Sequence, residues 1–210
     1  MDSISLLIFE LVVLVFSVVV HEVSHGAMAD KLGDPTARLL GRLTLNPIPH
    51  IDPIGSILLP AVLWFISGGA FVVGWAKPVP YNPWNLKNPV AAAAKIAFAG
   101  PAANFAIAIV FGVLVRVIYA FDPSSILVAF FALIVQINVL LAVFNLVPLP
   151  PLDGSKVLYA LLPRTNRGAA VITFFERNGM ILLLIFIFFG FDLIIPVMRV
   201  LFSLFTGLRL

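Results

Sequence analysis

The chain has 210 residues, of which 61% are hydrophobic and 11% charged, with a net charge of +3 and no cysteine. Its mean hydropathy of +1.12 and its scarcity of charge, against about 25% in soluble domains, exclude a soluble enzyme and indicate a polytopic membrane protein. The missing thiols exclude disulfides and cysteine-bound zinc, and the scattered basic residues form no nucleic-acid-binding stripe.

Apolar segments fall at about 4–29, 54–75, 91–121, 126–147 and 179–208, separated by polar, proline-rich stretches. They leave no room for a separate soluble domain, so one domain over 1–210 is expected, with a catalytic core over about 4–160 and C-terminal membrane segments over about 170–208. The first run lacks a basic leader and a cleavage site and reads as a retained helix. It leads directly into His21-Glu22-Val23-Ser24-His25. On a helix, two imidazoles at i and i+4 share a face and can bind one zinc, with the intervening Glu22 as general base. Three ionisable groups beside an apolar helix cost several kcal/mol unless something compensates them. An interfacial polar collar is the bland alternative.

Residues 46–53 form a polar loop in which His50 and Asp52 are expected to make a solvated turn, with a role around the site as the lesser alternative. Segment 54–75 has basic residues on both flanks and contains Gly55, Pro60, Gly68, Gly69 and Gly74. A straight crossing is disfavoured, and a re-entrant or β-hairpin element is expected between the first two core helices. Val72, Val73 and residues 75–79 are suitable strand material to which an unwound substrate could add, although a packed hairpin fits equally well. Gly100-Pro101 and Asn104 are expected to break or closely pack the helix over 91–121. Arg116 is expected to be snorkelling or paired, and Asn138 to bond between helices.

A catalytic zinc usually has three protein ligands. The better candidate for the third is Asp153, after the helix-stopping run Pro148-Leu149-Pro150-Pro151 and beside Gly154; the alternative is that Asp153 caps the next helix. The final apolar segment is broken by Gly190, Asp192 and Pro196. It is either one kinked crossing or a crossing followed by an interfacial helix. Lys and Arg crowd the stretches 30–53, 76–90 and 152–178 and are absent from 122–125, which predicts that the His pair and Asp153 share the cytoplasmic side.

Three motifs together resemble the site-2 protease family of intramembrane zinc metalloproteases. They are H-E-x-x-H-x-x-x-A from His21 to Ala29, F-A-G-P-x-x-N from Phe98 to Asn104, and N-x-x-P-x-P-x-L-D-G from Asn145 to Gly154. The resemblance implies an all-α site-2 protease-like transmembrane core. It implies one zinc per chain on His21, His25 and Asp153, Glu22 as catalytic base, and Asn145 positioning the substrate or stabilising the oxyanion. It further implies a transmembrane protein or peptide substrate in the lipid bilayer of a prokaryotic plasma membrane, no nucleic-acid partner, and leaves self-association open. The chain looks like the compact form, without a periplasmic peptide-binding domain or a cystathionine-synthase-like regulatory domain. A zinc or proton-coupled transporter is disfavoured by the lack of an inverted repeat, and a non-proteolytic chaperone by the intact Glu22.

Overall fold

The computed structural model describes residues 3–68 and 74–209, and among these every regular element is helical. Four helices are long and apolar enough to cross a membrane: Ile4–Lys31, Pro89–Phe121, Ile126–Asn145 and Asn166–Leu193. The all-α polytopic expectation holds.

α1 (Ser3–Lys31) carries the His pair in its last third. It ends where Gly33 adopts φ +109, a left-handed conformation open to glycine. A single turn, α2 (Thr36–Leu39), follows. α4 (Pro89–Phe121) starts on Pro89, with Asn88 accepting from the Ala91 N–H, the usual entry signals of a helix. α5 (Ile126–Asn145) returns beside it and stops before the proline run. α1, α4 and α5 form the packed centre. Ala108, Val115, Val135 and Val139 are buried there, and small residues let the backbones approach, which matters where lipid supplies no hydrophobic drive between helices.

Residues 53–67 form one π-helical turn, Pro53–Leu58, running into α3 (Leu59–Ser67). Fifteen helical residues rise only about 22 Å, short of the roughly 30 Å hydrocarbon core. The two ends of this excursion meet: the Trp75 N–H donates to the Gly55 carbonyl at 3.0 Å, and Ser56 Oγ to the Trp75 carbonyl at 2.8 Å. Gly55 is required, because a Cβ there would lie 2.2 Å from the Trp75 indole. The described ends of the segment therefore lie side by side. Val72 and Val73, expected as strand material, lie outside the described residues, and 75–79 is extended without strand pairing.

The C-terminal part begins earlier than its hydropathy suggests. α6 (Asp153–Leu161) is followed by α7 (Asn166–Ile185), so much of the polar stretch 152–178 is helical. After irregular turns over 186–193 the chain continues as α8 (Ile195–Thr206). A Cβ at Gly179 would sit 2.6 Å from Pro150, beside the Asp153 loop. At the other extreme, Arg116 donates to the carbonyls of Phe205 (2.8 Å) and Leu204 (2.5 Å) in the last turn of α8. The path from 179 to 206 thus runs from the Asp153 loop to the Arg116 side chain near the end of α4. Arg116 is paired, satisfying helix-end carbonyls that have no partner within their own helix.

Candidate metal centre

The His pair, Asp153 and the middle of α4 come together at one end of the bundle. His21 Nε2 and His25 Nε2 each lie 3.1 Å from Asp153 Oδ2. These separations approach the roughly 3.3 Å edge of a coordination tetrahedron with metal–nitrogen bonds of about 2.0 Å. All three residues are buried. Asp153 is the first residue of α6, whose cap position is Leu152 with no side-chain cap bond. The capping alternative is therefore not the one adopted. The loop can turn this way because Gly154 packs against α5, where a Cβ would meet the Leu146 carbonyl oxygen at 2.2 Å. Burial pushes the Asp153 carboxyl up, but its bonds to His21 and His25 more than reverse this and hold it well below the ordinary range.

Each imidazole is oriented through its other nitrogen. His25 Nδ1 lies 2.7 Å from the Ile96 carbonyl. α4 continues helically through Pro101 without breaking, although that residue lacks the N–H for the Ala97 carbonyl. His21 Nδ1 lies 2.6 Å from Asn104 Oδ1. Orientation of a ligand imidazole by a carbonyl or amide oxygen is the usual outer support of a metal site. Asn104, expected to be structural, is therefore part of the centre, and Asn138 bonds across helices as expected, accepting from Asn104 Nδ2 at 2.9 Å.

Gly100 is the site residue that composition does not reveal. A Cβ there would lie 2.5 Å from His25 Cε1 and 2.6 Å from the Nε2 atoms of both histidines. The space at the convergence of the donors exists because position 100 has no side chain. The donor set of two neutral-capable imidazoles and a carboxylate, with that space beside it, fits zinc. His21, Glu22 and His25 also offer ligand atoms within 4.8 Å of one another. Glu22, however, is engaged elsewhere, with its Oε2 accepting from the Val79 N–H at 2.9 Å.

Asn145 donates to the Leu141 carbonyl at 2.8 Å, the backbone-satisfying arrangement open to an Asn near a helix end. His50 departs from the solvated turn expected of it. It is buried and bonds the Thr44 carbonyl at 3.0 Å, while Asp52 Oδ1 accepts from the N–H groups of Ile54 and Gly55. Loop packing, invisible in a local polar pattern, decides this. Tyr81 was not singled out by sequence. Its hydroxyl is pushed up by burial and by the charge of Asp153.

The model of peptidase family M50 matches residues 117–189, which contain the Asn145 and Asp153 motif. Among curated proteins, the chain is 37% identical over 187 residues to "Putative zinc metalloprotease YwhC" of Bacillus subtilis, covering 86% of this chain and 80% of that one. It is 33% identical over 156 residues to the similarly named Rip2 of Mycobacterium tuberculosis, covering 73% of this chain and 58% of Rip2. A shorter match, 47% over 64 residues, links it to MJ0611 of Methanocaldococcus jannaschii, covering 30% of this chain and 32% of the relative. No solved structure matches.

Proposed function

The chain belongs to peptidase family M50, and from that premise we propose that His21, His25 and Asp153 hold its zinc while Glu22 serves as the general base. It is a multi-pass intramembrane zinc metalloprotease that acts on membrane substrates within a lipid environment. The observation that carries the residue assignment is the convergence of the two Nε2 atoms and Asp153 Oδ2, at 3.1 Å, beside the side-chain-free Gly100.

Zinc, when bound, polarises the scissile carbonyl and lowers the pKa of water from 15.7 toward about 7. Glu22 takes the water proton and delivers it to the leaving amine, a role worth roughly 10²–10⁴-fold in rate. Its bond to the Val79 N–H fixes one carboxylate oxygen and leaves the other for the proton. The Asn145 amide has two N–H groups; with one on the Leu141 carbonyl, the second is available to a substrate carbonyl.

The substrate is a transmembrane segment that must be locally unwound, because a helix conceals its own carbonyls. The extended stretch 75–79 suits such a partner. Its inward bonds fall on alternate residues: Trp75 N–H to Gly55, Lys77 N–H to His50, and Val79 N–H to Glu22. With the period of two of an extended chain, Ala76 faces the other way and offers its N–H and carbonyl to an added strand. The whole of 1–210 acts as one protease unit in a prokaryotic plasma membrane. The abundance of Lys and Arg in the loops at the site end supports a cytoplasmic active site.

Zinc content and cleavage of a model transmembrane substrate in liposomes, compared for the native chain, Glu22→Gln and Asp153→Ala, test this. Chelator-sensitive cleavage, lost in Glu22→Gln with zinc retained and lost with weakened zinc in Asp153→Ala, is the expected result. Undiminished zinc affinity in Asp153→Ala removes that residue from the ligand set.

A further inference from the structure

His25 is oriented directly by a backbone carbonyl, whereas His21 is oriented by a side-chain amide that could itself point either way. Asn104 and Asn138, both 0% exposed, stand behind His21. Asn104 Nδ2 donates to the Ser17 carbonyl at 3.2 Å and to Asn138 Oδ1 at 2.9 Å. Asn138 Nδ2 donates in turn to the Ile134 carbonyl and to Ser17 Oγ, each at 2.9 Å.

A backbone carbonyl can only accept. The Ile134 carbonyl therefore holds the nitrogen of Asn138 on its side and turns the oxygen toward Asn104. The Ser17 carbonyl does the same for Asn104 and turns that oxygen toward His21. An acceptor 2.6 Å from His21 Nδ1 demands a proton on Nδ1, so Nε2, which lies 3.1 Å from Asp153 Oδ2, is the nitrogen whose lone pair a metal would take. We propose that this buried amide relay, anchored on the Ser17 and Ile134 carbonyls, selects the metal-binding tautomer of His21, and that Asn138 is a positioning residue of the metal centre. The inference rests on His21 being a zinc ligand. It ties α5, which supplies no metal donor, to one ligand of the pair and not to the other.

The test measures zinc affinity by chelator competition on the full chain in detergent, together with the visible spectrum of the cobalt(II)-substituted protein. Asn138→Leu removes the relay's middle acceptor and is expected to weaken zinc about 10-fold and to alter the cobalt bands. Asn138→Asp in its protonated form keeps an acceptor for Asn104 and one O–H donor for the Ile134 carbonyl and, measured at a pH at which that carboxyl is protonated, is expected to restore affinity to within about threefold of native at the same pH. Native affinity and spectrum in Asn138→Leu, or equal losses in the Leu and Asp variants, overturn the proposal. Independently of whether any variant folds, ¹⁵N shifts of the native zinc-loaded protein must report Nδ1–H at His21, and an Nε2–H tautomer overturns it. His21→Ala separates the two readings. Retention of native zinc affinity there refutes the ligand assignment, whereas loss of zinc there with an unaffected Asn138→Leu refutes only the relay.

Discussion

Around the metal centre, Val135 and Ala108 are 0% exposed, whereas Phe65 on α3 is 82% and Phe189 beyond α7 85% exposed. Only 6% of the apolar stretch beginning at α7 is buried inside the protein, against 33% of α5. α1, α4 and α5 contact one another extensively, while α3 touches chiefly its own π-turn. The contrast separates a closely packed region that holds the candidate metal donors from apolar flanks that pack little against it. Metal donors need sub-ångström placement, which close-packed helices supply. The flanking helices leave their apolar faces exposed and keep few intramolecular contacts, the pattern of segments that open locally at low cost.

The largest effect is expected where the packed region has no room to spare. In Gly100→Ala the added Cβ enters the space between the two Nε2 atoms, and the purified protein should lose stoichiometric zinc and with it cleavage. Metal analysis that finds one zinc per chain in this variant would break the link between packing and chemistry. Hydrogen exchange should then sharpen the comparison, since amides of α3 and α7 are expected to exchange at least about 10-fold faster than those of α5 in the same micelle. Equal protection would show that the two regions open together.

Gly112→Val probes the packed side away from the metal. A Cβ at 112 would stand 2.8 Å from Phe205 Cβ and 2.9 Å from its carbonyl, so forcing α8 from α4 should cost about 1–3 kcal/mol in unfolding measurements. Phe65→Ala on the flank should stay within about 0.5 kcal/mol. A smaller, pH-dependent effect is expected at Asp34, which is buried and ties the end of α1 to the loop before α4. It accepts from the Thr36 hydroxyl (2.5 Å), the Asn82 N–H (2.6 Å) and Asn85 Nδ2 (2.7 Å). Burial raises its carboxyl, but these bonds prevail and lower it. The folded form therefore binds its proton at lower pH than the unfolded chain. The stability this provides is fully present above the ordinary Asp value of 3.8 and lost as pH falls through the lowered value. Asp34→Asn should unfold at lower temperature than native at pH 7, and the difference should shrink below about pH 4. A gap independent of pH would assign the loss to packing alone.

Much of the fold was legible because membrane helices announce themselves by composition. The three long core helices begin and end within a few residues of their apolar runs. The polar start of α7 was not legible: Arg167, Glu176 and Arg177 sit comfortably on a helix, but hydropathy registers them as loop. The fate of 54–75 was legible in kind, since glycines and flanking bases argued against a crossing, but the meeting of Gly55 with Trp75 is a contact between residues twenty apart that no local pattern encodes. His50 was misjudged for the same reason, because its burial is provided by a loop that closes over it.

Spacing alone placed His21 and His25 on one helical face with Glu22 beside them, since side chains four residues apart stack over successive turns whatever the rest of the chain does. The proline run before Asp153 likewise stated locally that a helix must stop there. Tertiary structure decided the rest. It brought Asp153 to within 3.1 Å of both imidazoles across more than a hundred residues, made Gly100 the space between the donors, and aligned Ser17, Asn104 and Asn138 behind His21. These are relations between helices, set by how closely small residues let backbones approach and by which buried carbonyls are left to accept. A single sequence carries them only as glycines and asparagines that could have served anywhere.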